Sequence, residues 1–216
     1  MEHHSIATLK VSRGTFQHTS RLYSAHKPAL ERYLDQLLWW NERVNLISRS
    51  VSRETIEYHL FHSLLISQFK IFNSSEYVVD AGSGGGLPGI PLAIAYPQKH
   101  VLLNDIASKK CMAVKQIARK MGLDNVSTAN CSIADLQQTK AFLFISKHAF
   151  KINDLYHMSA HLPWKSMILY KGMEFEGELE GISKSMTIIR YDLSGGPSFY
   201  DGKALVIISR ENSMAD

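Results

Sequence analysis

Cysteine is nearly absent from this 216-residue chain. The two present, Cys111 and Cys131, sit in no C-x-x-C or other metal-binding spacing, which excludes a disulfide scaffold and fits a reducing compartment. No apolar run approaches the roughly 18 residues that a membrane-spanning helix needs. The opening Met1-Glu2-His3-His4-Ser5 lacks the charged start and apolar core of a secretory signal. A soluble, cytoplasmic protein with no membrane partner is therefore expected. A P-loop is excluded, because Gly-Lys-Ser/Thr never follows the glycines. Internal repeats and low-complexity tracts are missing too. His59 and His62 stand at i, i+3 without a third ligand in view, so no metal is expected.

What is present suits a globular protein: 45% apolar and 20% charged residues, in a length that allows one well-buried domain and an extension. The net charge is +4, and up to Arg53 eight basic residues face four acids, so the first quarter carries all of it. A basic quarter beside a neutral body points to a polyanion, the plain alternative being a tail that only aids solubility. Residues 1–24 show no period and are expected to form a flexible basic tail. Residues 25–73 read as an N-terminal helical extension. There Leu30, Tyr33, Leu34, Leu37, Leu38 and Asn41 keep helical spacing behind Pro28, a residue suited to a first turn. A second helix is expected after Ser52, carrying Ile56, Leu60, Leu64 and Phe69.

From residue 74 to 216 strands alternate with helices. Strands are expected near 76–81, 100–105, 124–130, 142–146, 165–171, 186–193 and 204–209, and helices near 88–96, 107–121, 152–160 and 174–183. Tyr77-Val78-Val79 and Val101-Leu102-Leu103 are apolar runs, as parallel strands covered on both faces require. Only a short Gly-Gly-Pro loop separates the last two strands, which implies an antiparallel pair. The expected architecture is α/β: a seven-stranded Rossmann-like sheet with one antiparallel strand, preceded by helices.

The densest signal is Val78-Val79-Asp80-Ala81-Gly82-Ser83-Gly84-Gly85-Gly86-Leu87-Pro88-Gly89-Ile90-Pro91. It reads as strand, tight loop and helix start, a natural cradle for a small ligand. The dinucleotide pattern G-x-G-x-x-G fails from Gly82. It matches from Gly84 only by starting four residues past Asp80 and placing Pro88 in the phosphate turn. An acid at the strand end and a Gly-x-Gly turn without a phosphate clamp suit S-adenosylmethionine better. Asp105 ends the next strand, 23 residues after Gly82, where a carboxylate can accept from two ribose hydroxyls. Gly82 and Gly84 would pass beneath the ligand. Capping the following helix is the alternative role for Asp105, and ordering the loop is the alternative for Asp80.

Beyond the loop, Trp40-Asn41-x-x-x-Asn45-Leu46, His59-x-x-x-Ser63-Leu64, Asp105-x-x-x-Lys109-Lys110 and Leu169-x-Lys171-Gly172 complete a pattern across residues 30 to 210. With the Leu87-Pro88-Gly89-Ile90-Pro91 continuation it resembles the RsmG, or GidB, family. The resemblance implies a class I methyltransferase fold, S-adenosylmethionine as cofactor, and methylation of a guanine N7 in 16S ribosomal RNA of the small ribosomal subunit. It implies cofactor contacts at Gly82, Leu87 and Asp105, and backbone contacts to adenine at Ile133 and Ala134. The chain departs from the family at Ser132 and His148, where arginine is common, and at Ala134, where glutamate is common. His148 replaces an arginine beside the cofactor and substrate pocket. A diverged, non-catalytic RNA-binding or ribosome-assembly protein is the alternative those departures leave open.

Guanine N7 carries a lone pair and no proton, so its methylation needs no general base, and no catalytic acid or base is expected. Lys147 and His148 are candidates to position the base through its acceptor edge. For RNA, Lys109 and Lys110 open a helix that also carries Lys115, Arg119 and Lys120 and no acid, and Arg43 and Arg49 add charge from the extension. The protein is expected to act as a monomer.

Overall fold

Phe142-Leu143-Phe144-Ile145 shows how the apolar runs are used. Phe142 and Phe144 enter one hydrophobic core, Leu143 and Ile145 the other, as the two-residue period of a strand requires. The computed structural model describes residues 4–48 and 50–210. Its elements are β1 (Ile6–Lys10), α1 (Arg13–Asn41), α2 (Arg53–Leu64), α3 (Lys70–Asn73), β2 (Tyr77–Ala81), α4 (Gly89–Ala95), β3 (His100–Asn104), α5 (Ser108–Met121), β4 (Val126–Ala129), β5 (Phe142–Lys147), α6 (Ile152–Met158), β6 (Trp164–Gly172), β7 (Thr187–Asp192) and β8 (Lys203–Ser209). The strands form one sheet in the order β1-β7-β8-β6-β5-β2-β3-β4. Only β8 runs antiparallel to its neighbours, β6 and β7. Residues of α1, α2, α4 and α5 fill the core on one face, and those of α6 and its flanking loops fill the other. No helix among the described residues is long and apolar enough to cross a membrane.

The sheet has eight strands rather than the expected seven, because the N-terminal segment is built into it. Residues 6–10 pair in parallel with β7, from Ile6 opposite Ile188 to Lys10 opposite Asp192. An edge strand held by main-chain hydrogen bonds, with most of its side chains exposed, has no apolar alternation to betray it. The expected flexible tail of 1–24 is thus replaced, over its described part, by β1 and the first turns of α1. The division expected at residue 24 falls inside that helix. Ser12 caps α1 by accepting from the Thr15 N–H at 3.2 Å. Pro28 lies within α1 instead of at its start. Burial of Phe16 before it and of Leu30, Leu34 and Leu37 after it holds the helix across a residue that costs about 3 kcal/mol in an isolated helix.

The second expected helix starts as read, with Ser52 accepting from Thr55 N–H at 3.1 Å. It ends before Phe69, which instead precedes α3. The helix expected over 174–183 is reduced to a single 3-10 turn, Glu176–Leu179. Its glutamates serve tertiary partners: Glu176 pairs with Arg190 at 2.6 Å, and Glu178 accepts from the Ile152 N–H at 2.8 Å.

Candidate functional site

A cavity of about 770 Å³ opens beyond the C-terminal ends of β2, β3, β4 and β5, a volume suited to a cofactor and the place where ligands bind in doubly wound sheets. One wall is the glycine loop. Gly82 has φ +67°, and a Cβ on it would lie 2.4 Å from the Ala149 Cβ, so only glycine fits both the conformation and the close approach. Ser83 N–H donates to the Asn104 carbonyl at 2.8 Å, and Gly84 N–H donates to Asp105 Oδ2 at 3.0 Å. Asp105 Oδ1 accepts from Ala107 N–H, the residue capping α5, at 2.9 Å. Both roles read for Asp105 are therefore compatible: the carboxylate ties loop and helix together, and each oxygen keeps a lone pair for a ribose hydroxyl.

The loop also depends on the extension. Tyr33 Oη of α1 donates to the Gly85 carbonyl at 2.8 Å. At the end of α1, Asn41 Oδ1 accepts from both Leu46 and Ile47 N–H at 2.9 Å. That fold in the chain turns Leu46, Ile47 and Ser48 into a side of the cavity. The Trp40-Asn41 motif thus acts through backbone shaping.

The opposite wall is made of side chains. Lys147, at the end of β5, points its Nζ to 2.9 Å from His59 Nδ1 of α2. Burial pushes the Lys147 pKa down to about 7, with Asp80 opposing the shift and Lys203 adding to it. Burial also lowers His59 to about 3, helped by Lys147, His148 and Lys203. His148 has φ +56°, the single positive φ among described non-glycine residues, a conformation that marks local strain in a β-substituted residue. Its pKa is pushed down by its desolvating surroundings and then by Lys147, Lys171 and Lys203.

The cavity gathers Gly82, Gly84, Leu87, Asp105, Ile133, Lys147, His148 and Lys110 from the residues singled out in the sequence. Four others stand elsewhere. Asp80 is fully buried and does not line the cavity. Its Oδ2 accepts from Gly89 N–H at 2.8 Å, and burial, against that hydrogen bond, raises its pKa to about 8. Asp80 therefore orders the loop from behind the lining, the alternative role read for it in the sequence. Ala134 is outside the lining, and its N–H is taken by Ser132 Oγ at 3.2 Å, so the expected adenine contact there already has an internal partner. Lys109 is exposed beside the cavity. Arg43 is turned to its own helix, stacked 3.7 Å over the Trp39 ring and bonded to the Trp39 carbonyl at 2.6 Å. Arg49 lies outside the described residues.

Sequence reading missed His59 as a site residue, as well as Ile106, which is 75% exposed while lining the cavity. Ile106 follows Asp105 directly, and that adjacency was the available signal. Ile106 and Ile133 supply apolar surface for a flat ring. Ser83 Oγ is buried in the lining without a partner among the described residues, and such an orphaned polar atom fits a polar ligand. The same residues fit S-adenosylmethionine: a glycine floor, an acid for the ribose and no phosphate clamp. No group of His, Cys, Asp or Glu among the described residues is placed to hold a metal.

Comparison with known proteins agrees with this geometry. The family model described as rRNA small subunit methyltransferase G (GidB) matches residues 26–204. The ribosomal RNA small subunit methyltransferase G of Pelodictyon phaeoclathratiforme is 32% identical, over 87% of this chain and 86% of that protein. Its counterpart from Chlorobium limicola is 32% identical over 84% of this chain and 87% of that protein. Among solved structures, an O-methyltransferase from Bacillus cereus in complex with SAH shares the fold, with a TM-score of 0.54 at 16% identity, over 82% of this chain and 90% of that one.

Proposed function

Since the chain belongs to the rRNA small subunit methyltransferase G family, we propose that it transfers a methyl group from S-adenosylmethionine to N7 of a guanine in 16S ribosomal RNA. It is an S-adenosylmethionine-dependent methyltransferase, and the observation that carries the reading is the Gly82–Gly84 floor tied to Asp105 by the Gly84 N–H. Bound there, the cofactor supplies an electrophilic methyl. Gly82, Gly84 and Leu87 support it from below, Asp105 accepts from its ribose, and Ile106 and Ile133 flank its adenine. Lys147 and His148 bound the remaining space, where the base is received. Since N7 holds a free lone pair, these residues orient and exclude water and move no proton, and orientation supplies most of the acceleration. Lys109 and Lys110, at the start of α5 beside the cavity, take RNA phosphates. The protein works as a monomer in the cytoplasm.

The test incubates the purified protein and radiolabelled S-adenosylmethionine with small subunits from a methylation-null cell. Label in N7-methylguanosine, mapped by cleavage at that base, is expected. Cofactor binding without label in RNA favours the diverged RNA-binding or assembly reading. Calorimetry without cofactor binding at millimolar concentration removes both the cofactor site and the reaction.

A further inference from the structure

Lys147 and His59 meet across 88 residues of sequence, Nζ lying 2.9 Å from Nδ1 and 3.4 Å from the His59 carbonyl. With Lys147 as the donor, Nδ1 is the acceptor and the imidazole is neutral, its proton assigned to Nε2. The depressed His59 pKa, about 3, agrees with that state. His59 is itself fixed. Its ring meets Phe199 edge-on at 5.4 Å, and its carbonyl accepts from Ser63 Oγ at 2.7 Å. Behind it, Tyr170 Oη donates to the Ser63 carbonyl at 2.8 Å, and the Tyr170 ring centre lies 5.8 Å from Lys147 Nζ. α2 and β6 thus form a rigid socket around the amine, and both Lys147 and His59 line the cavity.

We propose that His59 is a positioning residue: its Nδ1 takes one N–H of Lys147 and so aims another at O6 of the target guanine. The choice of base follows from donor and acceptor chemistry. Guanine presents O6 as an acceptor beside N7, whereas adenine presents an N6 amine that would face a donor with a donor. A hydrogen bond to O6 leaves the N7 lone pair free for the methyl group. The protonated amine has an N–H for Nδ1, the His59 carbonyl and O6, and the neutral amine still has two, for Nδ1 and O6, so recognition does not require full charge on the lysine. This inference rests on the guanine-N7 reading above and adds which side chain reads the base and what orients it.

The test compares steady-state methylation of unmethylated small subunits by the wild type, His59→Phe, His59→Asn, Lys147→Met and the His59→Phe/Lys147→Met pair. His59→Phe is expected to lower kcat/KM for the subunit roughly 10- to 100-fold, as loss of a buried hydrogen bond that leaves its donor unsatisfied does. Its Kd for S-adenosylmethionine stays at the wild-type value. His59→Asn places an acceptor near Nδ1 and restores most of the rate. Lys147→Met matches His59→Phe, and the pair is no slower than either alone, the signature of one shared interaction. Replacing the mapped target guanine by 2-aminopurine, which lacks O6, slows the wild type to the same extent and leaves Lys147→Met unchanged. Additive single effects, a His59→Phe enzyme at full speed, or equal losses in cofactor and subunit binding would overturn the proposal. Should His59→Phe not fold, Lys147→Met and 2-aminopurine decide it alone. A wild type that methylates no RNA overturns the underlying reading instead.

Discussion

The two walls of the cavity are built by different means. The glycine-loop wall is backbone: Ser83 and Gly84 N–H groups have acceptors within 2.8–3.0 Å, and Asp105 uses both carboxylate oxygens. The Lys147 wall is side chain, holding an amine and two imidazoles whose pKa values burial lowers, with His148 in a left-handed conformation. A backbone cradle serves a ligand that is always the same, and its shape is preorganised at no cost in side-chain entropy. In the proposed reaction the base would leave this wall with a new positive charge on its ring, which groups stripped of charge by burial would oppose less than a fixed cation.

The largest effect expected is on the backbone wall. Asp105→Ala removes the acceptor of Gly84 and Ala107 N–H together with the proposed ribose contact. Calorimetry should show S-adenosylmethionine binding weakened on the order of 100-fold, about 3 kcal/mol. Unchanged affinity would mean that Asp105 is only a cap. Next comes Gly82→Ala, which places a methyl 2.4 Å from Ala149 Cβ at φ +67°. Urea unfolding should report a loss of about 1–3 kcal/mol, along with weaker cofactor binding.

The walls also differ in the sign of their response to pH. Asp80 holds its proton to about 8 when folded against 3.8 in the unfolded chain, so its contribution to stability falls as pH rises from about 4 to about 8. His59 takes its proton at about 3 when folded against 6.5 unfolded, so its contribution falls as pH drops from 6.5 toward 3. Asp80→Asn should flatten the decline on the alkaline side, and His59→Asn the decline on the acid side, in unfolding curves recorded across both ranges. An Asp80→Asn protein whose pH profile matches the wild type would erase this contrast.

The smallest effect belongs to the rim. Lys109→Ala and Lys110→Ala should each reduce the slope of log affinity against log salt for the small subunit by about one. Melting temperature should stay unaltered.

Legibility in the sequence followed the same divide. The central strands β2, β5, β6 and β8 announced themselves by apolar runs, because they are buried on both faces, and the loop after β2 by its density of glycines. Asp105 was found through its distance from that loop. The first strand was hidden, since β1 exposes nearly all its side chains and is held by main-chain bonds to β7. Pro28 read as a helix start because its cost is local, while the packing of Phe16 and Leu30 that offsets it is not. The two roles read for Asp80 could not be told apart in the sequence, because a strand-end acid reads the same whether it faces the cavity or Gly89. Ala134 looked available because Ser132 Oγ, its internal partner, becomes one only through local geometry.

By itself the sequence determined the parallel sheet with its single reversed strand, and it marked the glycine loop and Asp105 that the structure brings into one cavity. Each is written in residue types, or in a period that repeats along the chain. Tertiary structure alone decided that the N-terminal segment completes the sheet, that Tyr33 holds the glycine loop from a distant helix, and that His59 stands 2.9 Å from Lys147. Those partners are far apart in the chain. A hydrogen bond between remote residues leaves no period, spacing or composition by which it can be read before the chain has folded.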